Sequence, residues 1–171
     1  AAQTKPGHYY TEASELNLIG KLFNDTPNPY HRVDTCKFKG FTRGENDQVR
    51  SSAGIAVLFR TNSKSIAIKS EYGFYSNGTN TMGVALRGYD LYIKKDGEWL
   101  YAASKAGNPA SDKPFTLING MDGTMKECML YLPMYSEMYS VQIGVDEGSV
   151  IESLESPFRH RIAIFGSSFT Q

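Results

Sequence analysis

Several things are scarce in this chain, and each scarcity excludes something. No stretch approaches the roughly 18 consecutive apolar residues that a membrane-spanning helix needs, and no basic-then-apolar leader opens the sequence as given. No excess of charge exists either: 18 lysines and arginines meet 18 aspartates and glutamates. Without a bulk field, a nucleic-acid partner or an anionic bilayer surface is not expected. Only two cysteines are present, Cys36 and Cys128, far apart and in no metal-ligand spacing. One long-range disulfide and two buried thiols both remain open. The three histidines, His8, His31 and His160, are dispersed and lack His-Glu-x-x-His or His-x-His spacing. Polar or capping histidines are expected, with no metal site and no cofactor. Long helical windows are missing as well. Glu12 to Phe23 could hold one short helix, and within it Leu16 to Ile19 could equally be an edge strand.

What is present reads as a folded, strand-rich body. The 171 residues make one large domain, or one domain plus a fragment of another. With 40% hydrophobic and 21% charged residues, the composition sits far from that of disordered chains. From Ala53 the apolar residues recur every second position: Ile55, Val57 and Phe59, then Ile66, Ile68 and Tyr72. Thr61-Asn62-Ser63-Lys64 lies between the two runs and suggests a hairpin. A second hairpin is expected from Leu86 to Lys94 and Trp99 to Ala102, because Asp96-Gly97 suits the positive φ angles of a tight turn. Further strands are expected at Phe115 to Ile118, Met125 to Leu132, Tyr139 to Val145 and Val150 to Leu154, punctuated by Asn119-Gly120 and Asp146-Glu147-Gly148. Their spacing indicates an all-β fold, an antiparallel two-sheet sandwich of jelly-roll type.

The pattern changes after Pro157. Ile162-Ala163-Ile164-Phe165 is apolar without alternation, as in a strand covered on both faces, and Gly166-Ser167-Ser168 follows. A strand running into a Gly-Ser turn is how an α/β unit begins. The expected division is a sandwich over residues 1–157 and the first strand and turn of a second domain over 158–171. A serine at such a turn is held exposed, and backbone N–H groups of a following helix can face an oxyanion.

Ile162 to Gln171, IAIFGSSFTQ, resembles the first block of the SGNH (GDSL-like) hydrolases, a buried strand leading into Gly-Asp-Ser. Upstream, Tyr30-His31-Arg32, Ser52-Ala53-Gly54-Ile55 with Phe59-Arg60-Thr61-Asn62-Ser63, Gly88-Tyr89-Asp90-Leu91-Tyr92, and Tyr131-Leu132-Pro133-Met134-Tyr135 with Ile143-Gly144-Val145 resemble the β-sandwich module that precedes the catalytic domain in the GxDLY branch. The resemblance implies that Ser168 is the nucleophile, with Ser167 standing where the commoner pattern has aspartate. It also implies that the oxyanion partners and the Asp-x-x-His pair belong to later blocks, so residues 1–171 alone should be inert as a hydrolase. His31 and His160 have no spacing that makes either of them a substitute base.

The implied function is that of an N-terminal accessory domain of an SGNH-type esterase acting on acylated carbohydrate, its partner being the catalytic domain of the same parent chain. A glycan is a further candidate partner. Trp99 and Tyr101, same-side neighbours on the expected second hairpin, are the best sugar-stacking pair. Asp90 is either a ligand contact or a structural ion pair with Arg60 or Arg87, and Tyr135 falls in a segment expected at the domain boundary. The alternative is a free-standing carbohydrate-binding or adhesion domain. Small residues at Ala1-Ala2-Gln3 fit the product of leader cleavage, hence a secreted, periplasmic or cell-envelope location, although an expression scar has the same form. The apolar stub at Ile162 to Phe165 could also exchange between copies or dimerise.

Overall fold

The computed structural model describes residues 7–164 and Gly166. Ten strands lie in chain order: β1 His8–Glu12, β2 Asn17–Ile19, β3 Ala56–Thr61, β4 Ile66–Tyr75, β5 Gly88–Lys95, β6 Glu98–Ala106, β7 Phe115–Ile118, β8 Lys126–Tyr131, β9 Ser136–Asp146 and β10 Ile151–Ser153. Two helices interrupt them, α1 at Arg43–Arg50 and α2 at Gly83–Arg87, and a 3-10 turn occupies Ala13–Glu15. One antiparallel sheet has the order β1-β9-β4-β7 and the other β10-β3-β8-β5-β6, with β2 also pairing β3. Two facing antiparallel sheets in this order form a jelly-roll sandwich.

Period two decides the core. Val57 and Phe59 of β3, Ile66 and Ile68 of β4, Leu91 of β5, Cys128 and Leu130 of β8, and Val141 and Ile143 of β9 all point between the sheets and are buried. Burying a side chain of this size contributes about 1.5–3 kcal/mol each. The alternate residues of the second sheet, Ala56, Leu58 and Met129, form a smaller cluster on its outer face, with Tyr92, Trp99 and Tyr131 packed against it.

The β5–β6 hairpin forms as expected, its turn held by positive φ at Asp96 (53°) and Gly97 (85°). The other expected hairpin does not. β3 pairs with β8, β2 and β10, whereas β4 pairs with β9 and β7, so the chain crosses between sheets at Asn62 to Ser65. Side chains tie down that crossing: Ser63 Oγ donates to the Ser65 carbonyl (2.6 Å) and accepts from Asp146 N–H (2.9 Å). Cys36 is exposed and Cys128 buried, and both are free thiols. Of the expected stub strand, Ile162 and Ile164 are exposed and lie in no strand. Phe165 and the Ser167-Ser168 pair fall outside the described residues.

Candidate functional site

Strand direction brings motif segments 30–32, 52–55 and 131–135 to one end of the sandwich, while 59–63 and 143–145 run to the other. Ala56 of β3 faces Tyr131 of β8, Gly88 of β5 faces Ala106 of β6, and Tyr75 of β4 faces Ser136 of β9. Beyond these pairs lie the excursion 20–55, the 76–87 segment carrying α2, and the 132–135 loop. At this end Ser52 donates its N–H to the Ser136 carbonyl (3.1 Å) and its hydroxyl to the Pro133 carbonyl (2.6 Å). Leu132 N–H reaches the Ile55 carbonyl (3.0 Å), and Ser136 Oγ donates to the Leu86 carbonyl (2.9 Å). Arg32 binds the end of α1 through the Ser51 carbonyl (3.0 Å), the Ser51 hydroxyl (3.0 Å) and the Gln48 carbonyl. Lys21, buried, donates to Thr26 Oγ1 and the Pro29 carbonyl, each at 2.6 Å. Buried polar groups satisfied in this way fix a loop as firmly as a strand ladder does.

At the centre of this end is Glu137, 3% exposed. Its Oε1 lies 2.8 Å from His31 Nε2 and 3.6 Å from Arg50 Nε, and its Oε2 accepts Phe74 N–H at 3.0 Å. No aligned hydrogen bond joins His31 Nε2 to the carboxylate, and the contact is ionic only when the imidazole is protonated. Burial pushes the His31 imidazole below its ordinary pKa, and the Glu137 carboxylate offsets this only in part. Arg50 is itself held by Asp47 (2.6 Å). Neither His31 nor Glu137 is joined to a serine or cysteine side chain by the hydrogen bonds described for residues 7–164. Tyr30 donates its hydroxyl to Glu12, and burial, then that carboxylate, raises its pKa well above the ordinary range. Tyr30 therefore stays a neutral donor.

A second cluster, at the opposite end, has the composition of a catalytic triad without its connectivity. His8 Nε2 lies 2.9 Å from Ser65 Oγ, and Ser65 Oγ donates to Asp146 Oδ1 at 2.6 Å. In a working triad the carboxylate orients the imidazole. Here it accepts the serine proton directly, together with the N–H groups of Lys64 (3.0 Å) and Ser65 (3.1 Å). Burial pushes the Asp146 carboxyl up, but these hydrogen bonds outweigh it and hold the pKa below the usual value. The cluster is a clamp on the β3–β4 crossing.

The sequence-derived candidates fall in different places. Trp99 and Tyr101 share the outer face of the second sheet, Tyr101 opposite Tyr92 and Trp99 opposite Lys94 in cross-strand register. Tyr92 meets Tyr101 and Tyr131 edge to face at 6.0 and 5.9 Å, and Lys94 Nζ lies 5.8 Å over the Trp99 ring. Asp90, on the same face and half-buried, opposes Tyr131 and Ser104 and forms no ion pair among the described residues. Arg60 is paired with Glu152 (2.6 Å) and Arg87 with Asn77 (2.9 Å), so neither partner expected from the sequence reaches Asp90. Tyr135 stands apart at the motif end, its N–H on the Leu86 carbonyl (3.3 Å). Ser168 lies outside the described residues. A polar groove of about 580 Å³ runs between β4 and the 109–112 loop, with Lys69, Glu71 and Gln142 among its lining. Sequence reasoning missed Glu137 and Arg50. Only α1 carried a signal, the Thr42 and Glu45 capping box that the structure forms in both directions.

A family model described as "GxDLY: N-terminus of Esterase_SGNH_hydro-type" matches residues 8–151. A solved chain described as a GDSL-like lipase from Bacteroides ovatus ATCC 8483 is 36% identical and superposes with a TM-score of 0.83 over 89% of this chain and 44% of its own. The salicylyl-acyltransferase SsfX3 from a tetracycline biosynthetic pathway shares the fold at 19% identity and a TM-score of 0.54, over 91% of this chain and 41% of its own. This chain thus spans less than half the length of either. No curated protein matches it.

Proposed function

Because the chain belongs to the GxDLY family, the N-terminal domains of SGNH-type esterases, we propose that it is the accessory domain of an ester hydrolase acting on acylated carbohydrate and that it supplies no catalytic group from its sandwich. The division falls near Pro157. The observation supporting this is the motif end: Arg32, Lys21, Ser52, Ser136 and Glu137 spend their polar atoms on contacts within the domain, as scaffold groups do. In the parent protein Ser168 attacks the ester carbonyl. Its Oγ–acyl bond forms as the bond between the acyl carbon and the sugar oxygen breaks, a base of the following domain passes the serine proton to the departing sugar oxygen, and water then releases the acid. Trp99, Tyr101 and Asp90 offer an apolar ring face and a carboxylate acceptor to a sugar. Polymeric acylated glycan as substrate fits export to the cell envelope or beyond.

The test uses the full-length parent protein. Ser168→Ala should abolish release of acetate from acetylated xylo-oligosaccharides while leaving the melting temperature unchanged. Undiminished release by that variant, or a parent protein that hydrolyses no ester, overturns the hydrolase reading. Trp99 is the sole tryptophan of these 171 residues. If the following domain holds tryptophans, they are replaced by phenylalanine, and quenching of the remaining emission by the same oligosaccharides reads the outer face directly.

A further inference from the structure

On the strength of that reading, we propose that the motif end of the sandwich is the surface on which the following domain of the parent chain rests. Large apolar side chains stand exposed there. Met82 (79%) and Val84 (39%) lie at the start of α2, and Met134 (39%) lies in the 132–135 loop. That loop is bound to α2 through two donors to the Leu86 carbonyl, Tyr135 N–H and Ser136 Oγ. Phe38 and Phe41 are exposed on the excursion that enters α1 from the same end. Contiguous exposed apolar surface marks an interaction site. The backbone beneath is anchored by the Ser52, Ser136 and Glu137 contacts, so these side chains are presented on a rigid base. The polar atoms of that base are already satisfied within the domain, which suits apolar burial rather than hydrogen-bonded recognition.

The path of the chain names the occupant. After β10, Leu154 N–H reaches the Leu58 carbonyl (3.3 Å) and Leu154 packs on the outer cluster of the second sheet. The chain then runs towards the motif end, where Arg161 donates to the Lys21 carbonyl at 2.7 Å. Lys21 lies just beyond β2, whose last residue, Ile19, opposes Ala56 at that same end. Ile162 (85%) and Ile164 (74%) follow, exposed. The chain is thus at the motif end when it leaves the sandwich, and the Bacteroides ovatus relative has more than half its length left to place.

Methionine oxidation tests this, because thioether reactivity follows solvent access. Met125, 49% exposed at the opposite end, is the internal reference, and buried Met138 is the protected control. The full-length parent is treated with hydrogen peroxide and each methionine is followed by peptide mass spectrometry. Docking predicts that Met82 and Met134 oxidise about fivefold or more slowly than Met125, reversing the order of Met82 and Met125 expected from their exposure in the sandwich. Met82 oxidising as fast as Met125 overturns the proposal. Protection that vanishes on dilution assigns the surface to a second copy, and protection that appears only with added glycan assigns it to a sugar; either result overturns it too. In the intact parent, the double variant Met82→Asp with Met134→Asp should speed tryptic cleavage at Arg159 and Arg161 and split one thermal transition into two. A single transition with unchanged cleavage counts against docking. A parent without Ser168-dependent ester hydrolysis sinks the functional reading, whereas an active parent with unprotected Met82 sinks only the docking.

Discussion

The two ends of the sandwich are built on different principles. At the end where β3 hands over to β4, β5 to β6, β7 to β8 and β9 to β10, the connections are short and rich in turn-forming residues, namely 62–65, 96–97, 119–125 and 147–150. The 119–125 and 147–150 turns close through local chemistry, the Thr124 N–H and hydroxyl on Asp122 and the Ser149 N–H on the Asp146 carbonyl, and Asp146 clamps the 62–65 crossing. At the motif end, the connections 20–55, 76–87, 107–114 and 132–135 carry both helices and are held by contacts that cross from one excursion to another. His31 and Arg50 of the 20–55 excursion, Phe74 of β4 and Glu137 of β9 come from three different segments to make one cluster. Short turns need little beyond themselves and a neighbouring residue such as Asp146. Long excursions need each other, and a surface assembled that way can be shaped for a partner.

The comparison breaks most visibly at Glu137. Replacing it with alanine leaves Arg50 with Asp47 alone, and leaves His31 and the Phe74 N–H facing an empty space. Loss of one member of a buried charged cluster costs about 3–4 kcal/mol. Urea titration of Glu137→Ala should show a drop of that size, and an unchanged midpoint would mean that the motif end is no more interdependent than the turn end.

Gly20→Ala probes the same end through the backbone. Gly20 sits at φ +82°, and a Cβ there would lie 1.9 Å from the Gly54 carbonyl oxygen, linking the exit of β2 to the Ser52-Ala53-Gly54 turn. With no side chain able to move aside, the two ends of the 20–55 excursion must part. The expected cost is about 3 kcal/mol, from overpacking and left-handed strain together.

Asp146→Ala removes the clamp at the opposite end. Its hydrogen bonds from the Lys64 and Ser65 N–H groups and from Ser65 Oγ give way to solvent access at a partly exposed site, so the loss should be smaller, about 2 kcal/mol. The pH dependence separates the ends further. A carboxyl whose pKa is lowered on folding stabilises the protein above its unfolded value, about 3.9, and that stability disappears as pH falls through the folded value. His31 is also lowered on folding, so its contribution is complete above about 6.5 and fades as pH drops below that. Acid should therefore weaken the motif end first. In a stability profile from pH 7 to 3, His31→Gln should flatten the upper limb and Asp146→Asn the lower; the reverse assignment would refute this order.

The same division explains what could be read from the sequence. Phe115–Ile118 was legible to the residue, and β8 and the β5–β6 turn nearly so, because alternation and Asp-Gly chemistry are local. The Asn62 to Ser65 crossing was misread as a hairpin because a turn cluster between two alternating runs looks the same whether the next strand pairs with the last or joins the facing sheet. That choice is made by Asp146, distant in sequence. α1 was overlooked because Arg43–Arg50 has no apolar stripe and no buried residue, leaving only the Thr42 and Glu45 cap to announce it. Of the candidate site, the motif segments were visible as separate words. That three of them, 30–32, 52–55 and 131–135, meet at one end, around a glutamate belonging to none of those words, depends on strand direction in both sheets.

The smallest effect sharpens the contrast most. Gly97 shares a positive φ (+85°) with Gly20 (+82°), but a Cβ at Gly97 would meet nothing within 4 Å. Gly97→Ala therefore incurs only the left-handed backbone strain, about 1 kcal/mol, and its neighbour Asp96 already tolerates φ of 53°. The turn has no other excursion to push against, so the strain stays where it arises. Measured beside Gly20→Ala in the same urea titration, Gly97→Ala isolates the steric part: two glycines with equal torsion should differ about threefold in cost. Equal losses would show that torsion alone sets both, and that the motif end is held no more tightly across its segments than a hairpin turn is within its own.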